Sequence, residues 1–380
     1  MPHQNSVLHA MLKHVPRAEL DELVKKHRVD ERERGFTTWT QLVAMLYGQL
    51  SEAKSLRAIE TQMKSHAGCL YHVGVGRVRR SSLAEANAHR PSALFGDLLA
   101  LLMKQAHRGL RRKLEGVAYL IDSTSLKLGA RSARWARFSA DVCGAKAHIV
   151  YDSAADLPVY LALSPANVND ITVAKAMPIE AGATYVFDLG YYDYGWWAAL
   201  DEQGCRLVTR LKKNTRLTII ETRAVPADGT VLSDRIGYLP ARQGKSRKNP
   251  FAKPVREVQV RTETGKVLRI LTNDLTAPAQ EIADLYKLRW AIELFFRWVK
   301  QTLKITHFLG TSENAIRIQI AVALIAFVLL RLAQATQTAI TSPLEFVRLV
   351  CSNLMHRREI NDLLQPKRAP PPNPNQFALL

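Results

Sequence analysis

The feature that most limits what this chain can fold into is a change of hydrophobic period near residue 115. From there VAYLID, AHIVYD, PVYLALS and TYVFD follow one another as short, β-branched and aromatic runs of strand length. A helical stretch, DITVAKAMPIE, separates the third run from the fourth, and a second, DYGWWAALDEQG, leads from the fourth to a fifth run, CRLVTRL. Three consecutive strands, then helix, strand, helix, strand, predict a mixed sheet buried between helices. Across 211–275 the alternation breaks, and TRLTIIETR, REVQVRTET and KVLRILTND read as further strands.

Residues 1–110 read as helical. WTQLVAMLYGQL and SLRAIETQMK are apolar-periodic and separated by the turn-prone SEAK. In SSLAEANAHR, Glu85 stands three residues after Ser82, which predicts a capping box. A helix–turn–helix of this kind suggests DNA binding when the chain is basic, and this one is. Lys and Arg outnumber Asp and Glu by 53 to 34, a formal charge of +19 and a pI near 9.9. Such a charge attracts polyanions, nucleic acid first and an anionic membrane surface second. The six cations of ARQGKSRKNPFAKPVR, Arg242, Lys245, Arg247, Lys248, Lys253 and Arg256, carry no acid among them and point to DNA contact.

The 380 residues allow two or three domains, and 47% hydrophobic with 23% charged residues fits a soluble globular protein. MPHQNSVLHAMLKHV lacks a signal peptide's apolar stretch. The longest apolar run, IAVALIAFVLL, lies between Arg317 and Arg331 and falls short of the roughly 20 residues of a membrane span. It is read as a buried core helix, with no membrane partner expected. Cys69, Cys143, Cys205 and Cys351 are scattered, which suggests reduced thiols in a cytoplasm. The tail, PKRAPPPNPNQFALL, is proline-rich and expected to be disordered, and no internal repeat is visible.

LYKLRWAIELFFRWVKQTLK, 285–304, is the most unusual segment. On a single helix at about 100° per residue, Tyr286, Arg289, Glu293, Arg297, Lys300 and Lys304 share one narrow stripe. Most other positions are apolar, Lys287 and Gln301 excepted, so the helix is expected to be mostly buried, with Trp290 and Trp298 in the core rather than free to stack on bases. A buried carboxylate such as Glu293 is costly unless paired, hydrogen-bonded or bound to metal. The surplus of cations beside it would suit phosphate.

Two further carboxylates follow strands. Asp122 ends VAYLID and Asp188 ends TYVFD; ligand sites in open α/β sheets lie at such carboxyl ends. If the first and fourth strands are neighbours, the two emerge side by side. Hard cations such as Mg²⁺ take oxygen ligands, and a pair of ions about 4 Å apart assists in-line phosphoryl displacement. Asp141, Asp152, Asp156, Asp170 and Asp193 compete for the same role, and a strand-end Asp often only caps a turn.

The spacing of Tyr286, Arg289, Glu293 and Lys300 resembles the Y-(2)-R-(3)-E-(6)-K signature of DDE transposases of the insertion-sequence-four family. DSTSLKL at 122–128 is similar to that family's first-aspartate block and FDLGYYDY at 187–194 to its second. PANVNDITVAK, 165–175, and FTTWTQLVAMLYGQLSEAKSLRAIE, 36–60, resemble stretches between and ahead of these blocks. One departure is Leu189, where the family often has a basic residue after the second aspartate.

The resemblance implies a multidomain α/β protein: a helical N-terminal DNA-binding domain and a ribonuclease-H-like mixed sheet flanked by helices, interrupted by a mostly β insertion. The expected division is 1–110 helical and DNA-binding, 111–210 first part of the core, 211–275 basic insertion, 276–340 C-terminal core helices, and 341–380 an extension with the tail. It further implies that Asp122, Asp188 and Glu293 hold two Mg²⁺ ions (Mn²⁺ as a substitute). Tyr286, Arg289 and Lys300 would hold phosphates of the transposon end, with Arg297, Lys304, Lys245, Arg247 and Lys248 as further DNA contacts. The expected activity is cut-and-paste transposition on double-stranded DNA, terminal repeats and target alike. A homodimer in the DNA complex, on the chromosome of a prokaryotic cell, is the expected setting. The alternatives are a catalytically silent DNA-binding descendant and a stand-alone ribonuclease-H-like nuclease.

Overall fold

The computed structural model describes residues 5–31, 35–110, 117–129, 132–136, 143–226, 229–243, 247–302 and 308–364; the proline-rich tail lies outside them. Helices α1 (Val7–Leu12), α2 (Arg17–Lys26), α3 (Thr38–Leu50), α4 (Leu56–Ser65), α5 (Arg80–His89) and α6 (Ser92–Leu110) come first. They lead to β1 (Ala118–Leu128), α7 (Ala133–Ala136), β2 (Cys143–Asp152), β3 (Leu157–Pro165), α8 (Asp170–Ala174), β4 (Thr184–Phe187), α9 (Tyr194–Glu202) and β5 (Arg206–Arg210). Next come β6 (Thr218–Arg223), β7 (Val231–Tyr238), β8 (Arg242–Gln243), β9 (Arg247–Lys248), β10 (Val255–Arg261) and β11 (Val267–Thr272). The chain continues with α10 (Ala279–Leu288), α11 (Trp290–Thr302), α12 (Glu313–Ala335) and α13 (Pro343–Asn353). Two compact units result, Met1–Leu94 with Val322–Leu380, and Phe95–Ala321.

In the first unit α3, α4 and α5 pack on one another. Thr37 and Ser55 cap α3 and α4 by accepting from the amides of Thr40 and Ala58, satisfying first-turn donors that have no helical partner. The capping box expected at Ser82 does not form. Helix α5 starts at Arg80 without a side-chain cap, and its first residues, Arg80 and Ser81, are exposed, so water can serve their amides. Its inner face is held by buried polar groups: Gln41 Nε2 donates to Asn87 Oδ1 at 2.7 Å, and Arg90 donates to Gln41 Oε1 at 3.1 Å. The terminal arginine of SSLAEANAHR is therefore structural, paired also with Asp30 at 2.9 Å.

The second unit is built on a nine-stranded sheet of order β3-β2-β1-β4-β5-β11-β10-β7-β6. Strands β1, β2 and β3 form an antiparallel meander, and β4 and β5 add parallel to β1. That order and those directions make a ribonuclease-H-like core. The strands of 211–275 continue the same sheet, because β11 pairs antiparallel with β5 from Thr272↔Val208 to Ile270↔Arg210. One strand, β7 (VLSDRIGY), carries too many polar residues for its period to show in sequence. Its Asp234 is neutralised across the ladder by Arg256, with Nε–Oδ1 at 2.8 Å and Nη2–Oδ2 at 2.7 Å. Helix α8 is shorter than its sequence pattern, ending at Ala174 ahead of Pro178.

On one face of the sheet Ile121, Phe187 and Leu207 pack with Trp196, Trp197 and Leu200 of α9, the Phe187 and Trp196 rings lying 4.9 Å apart. On β1 and β2 the α11 side is closed by Phe295 against Tyr151, again at 4.9 Å. Helix α12, at 23 residues, is long and apolar enough by length and composition to cross a membrane, but 83% of its most apolar window is buried in the protein. That burial is what a core helix requires.

Candidate active site

Strand β1 does not end at Asp122. It runs on to Leu128, paired with β2 throughout, so the polar DSTSLKL is strand rather than turn. The parallel pairing with β4, however, stops at Ile121↔Phe187. The next residue on each strand is therefore Asp122 and Asp188, and the two stand side by side where the strands part. Parallel pairing of β4 with β5 stops at Val186↔Val208, which brings Arg210 to the matching end of the third strand. Local hydrogen bonds orient both aspartates: Asp122 Oδ1 accepts from the Ser123 amide at 2.7 Å and Asp188 Oδ1 from the Gly190 amide at 2.7 Å.

Over 285–302 the segment is two helices, not one. They meet at Arg289, whose amide bonds the Tyr286 carbonyl at 3.2 Å, a three-residue return that interrupts the α pattern. Nor is the segment apolar-buried all round. Ile292, Phe295, Phe296 and Val299 face the core, but Leu288, Trp290 and Leu294 are 42%, 50% and 46% exposed. The polar stripe lies on the border between a buried and a solvent arc. Trp290 is thus not a core residue, while Trp298 is half-buried. Arg297 belongs to the solvent arc, its guanidinium 6.0 Å from the Trp290 ring centre.

Arg289 sits among the carboxylates. Its Nη1 is 2.6 Å from Glu293 Oε1 and 3.9 Å from Asp122 Oδ2. Burial pushes the Asp122 carboxyl up to about 6; Asp188 and Glu293 add to the rise, and the Ser123 amide and Arg289 oppose it. Lys300 is half-buried, its ammonium lowered by that burial and partly restored by Asp122. Tyr286 is 7% exposed, its hydroxyl pushed up by burial against the opposing charges of Arg289 and Arg210. Asp122, Asp188, Glu293, Tyr286, Arg289 and Lys300 therefore share one electrostatic neighbourhood.

The other expected contacts divide. Lys304 and Lys245 lie outside the described residues. Arg247 and Lys248 form β9, paired with β8 in a two-stranded ribbon, with Lys248 exposed. One of the six cations in that basic run is structural instead, Arg256, buried on Asp234, while the exposed Lys253 lies 2.6 Å from Asp201. Sequence reasoning did not single out Arg210, and it left Asp170 among several competitors. Strand register alone identifies the first; the second is tied to Ser123 and Lys146 by hydrogen bonds of 3.0 Å each.

By chemistry the residues suit a hard divalent cation: three carboxylates, one of them raised by burial and further by the charges of the other two. As they stand, no three His, Cys, Asp or Glu side chains among the described residues close on a single ion. The cationic Arg289 occupies that role between Asp122 and Glu293.

A sheet of this order, with aspartates where its parallel strands part and cations facing them, defines an enzyme of nucleic-acid phosphodiester chemistry. The domain described as "Transposase DDE domain" matches residues 114–329, and the chain belongs to that family. It is a transposase, an enzyme of DNA transposition that binds DNA and depends on divalent metal. Residues 3–76 also match a domain of unknown function, DUF4372. The chain is 43% identical to "Putative transposase y4zB" of Sinorhizobium fredii, covering 77% of this chain and 81% of that one. It is 32% identical to "Probable transposase for insertion sequence element IS5377" of Geobacillus stearothermophilus, covering 74% of each. Among solved structures it is similar to a piggyBac transposase synaptic complex with hairpin DNA, at 12% identity and a TM-score of 0.49 over 96% of this chain and 83% of that one.

Proposed function

We propose that this chain moves its own element by cut-and-paste transposition, as a member of the insertion-sequence-four group. Water attacks a phosphodiester at the element end and the bond to the 3′ oxygen breaks, freeing a 3′-OH. That hydroxyl then attacks a target phosphodiester in a second in-line displacement, expelling a target 3′ oxygen. Asp122, Asp188 and Glu293 hold two Mg²⁺ ions, with Mn²⁺ able to replace them, which when bound activate the attacking oxygen and stabilise the leaving one. Tyr286, Arg289 and Lys300 hold the phosphates flanking the scissile bond. A DNA phosphate competes with Glu293 for the Arg289 guanidinium and so releases the carboxylate for its ligand role.

The helical region 1–110, with Arg57, Arg77, Arg79 and Arg80 exposed, binds the terminal repeats; two copies bring the two ends together, in the cytoplasm. The observation that carries this reading is the convergence of Asp188 and Glu293 on Asp122, with Arg289 between Asp122 and Glu293. The test is incubation of the protein with a labelled duplex bearing the element's end and a supercoiled target plasmid, in Mg²⁺ and in chelator. Metal-dependent joining of the labelled 3′ end to the plasmid is expected. Cleavage without joining would indicate a plain nuclease, and binding without cleavage a silent descendant.

A further inference from the structure

The PANVND segment contributes a carboxylate that the proposed chemistry does not use. Asp170, the first residue of α8, lies behind the aspartates on the opposite face of β1 from α11, the face shared by Ser123 and its cross-strand partner His148. Its Oδ1 accepts from Ser123 Oγ and from Lys146 Nζ, each at 3.0 Å, with His148 Nδ1 at 3.7 Å. Lys146 also donates to the Val168 carbonyl at 3.1 Å, clamping the segment onto β2. The other oxygen faces the turn after Asp188. A Cβ added to Gly190 would lie 3.4 Å from Asp170 Oδ2 and 3.0 Å from Asp188 Oδ1, so the turn passes close to both carboxylates. Beside them the Tyr191 hydroxyl, on a residue only 1% exposed, faces Ser123 and the Asp122, Asp170 and Asp188 carboxylates.

Asp122 and Asp188 need such a link. Beyond Ile121↔Phe187 the pairing of β1 with β4 stops, so no ladder bond sets the spacing of the two ligand residues. Asp170 accepts a hydrogen bond from Ser123, next to Asp122, and its other oxygen lies beside the Gly190 turn that follows Asp188. Lys146 neutralises it, so it stands close without adding an unpaired charge.

We propose that Asp170 is a positioning residue: through Ser123 and the Gly190 turn it fixes Asp122 and Asp188 relative to one another and so sets the site's affinity for divalent metal. The inference rests on the metal site proposed above. Groups that orient ligands from outside are typically worth about 10–100-fold in metal affinity. The test is Mn²⁺ binding to the free, full-length protein, read by electron paramagnetic resonance of unbound Mn²⁺, together with thermal melting without metal. Asp170→Asn keeps the shape and removes the charge; Ser123→Ala cuts only the link to Asp122.

Asp170→Asn is expected to bind Mn²⁺ about tenfold more weakly, and Ser123→Ala several-fold more weakly, with melting of Ser123→Ala unchanged. If Asp170→Asn does not fold, Ser123→Ala decides alone. Wild-type Mn²⁺ affinity in Ser123→Ala and in folded Asp170→Asn overturns the inference and leaves Asp170 as a scaffold for α8. Asp122→Asn in the same titration separates the two readings. If it weakens binding while the others do not, only this inference fails; if it too binds as wild type, the carboxylates do not hold the metal and both fall.

Discussion

Replacing Glu293 by Gln removes one charge and almost no volume, which makes it the sharpest probe of the site. The carboxylate meets Arg289 at 2.6 Å, with the side chains 32% and 18% exposed, respectively. Exposed pairs are worth about 0.2–1 kcal/mol, whereas breaking buried ones costs about 3–5 kcal/mol. A half-open pair whose arginine still has Asp122 at 3.9 Å belongs near the lower end, about 1 kcal/mol. In a unit the size of Phe95–Ala321 that lowers Tm by about 2–4 °C. Catalysis responds on a different scale. Groups that merely orient a metal ligand cost about 10–100-fold, so loss of a ligand costs at least about 100-fold, close to 3 kcal/mol of barrier. The assay is Mg²⁺-dependent nicking of a labelled terminal-repeat duplex, with end binding measured by gel shift in chelator. Glu293→Gln is expected to melt within a few degrees of wild type, bind the end and fail to cut. Cutting at the wild-type rate would show that Glu293 only pairs with Arg289, and the assignment of the helix to catalysis would be wrong.

Lys300→Met should weaken end binding and reduce the slope of log affinity against log salt by about 0.9, one phosphate contact's worth; an unchanged slope would remove Lys300 from the DNA interface. Asp234→Asn should cost about 3–5 kcal/mol in urea unfolding by stranding the buried Arg256, while Asp234→Leu with Arg256→Met should recover most of it. Similar stability of the single and double variants would contradict this. Burial alone would raise the Asp274 carboxyl, but the amides of Ala277 and Thr276 and the Arg206 guanidinium outweigh it and hold it at about 2. A folded value below the unfolded one stabilises above the unfolded pKa, near 4, and the gain is lost as pH falls through about 2. The shift corresponds to about 2 kcal/mol, which solvent screening reduces to about 1 kcal/mol. Stability curves of wild type and Asp274→Asn should therefore converge between about pH 4 and pH 2, and parallel curves there would refute the assignment.

The strand pattern was legible because β-branched and aromatic runs in β1 to β5 report burial directly. β7 was not, because its buried Asp234 is compensated by Arg256, 22 residues downstream by chain but on the neighbouring strand of the ladder. The carboxylate pair was legible as strand ends, although β1 runs six residues past Asp122: what ends at Asp122 is the partnership with β4, and sequence periodicity does not distinguish the two edges of one strand. The wheel placed Glu293 and Lys300 on one stripe but misjudged Trp290 and Leu294, since apolar character does not say which arc meets the protein and which meets water.

By itself the sequence determined the order of β1 to β5 and the helices between them, the strongly basic charge and the presence of two aspartates following apolar strand runs ahead of a helical glutamate, because local periodicity and residue chemistry need no partner to be read. Only the tertiary structure decided that β6, β7, β10 and β11 extend the core sheet, that Arg289 bridges Asp122 and Glu293, and that Arg210 and Asp170 stand at the same strand ends. Each of those facts needs a pairing between segments apart in the chain, β11 on β5, Arg289 on Asp122 or Asp170 on Ser123, set by hydrogen-bond register and by the need to neutralise charge as it is buried, and no local pattern encodes it.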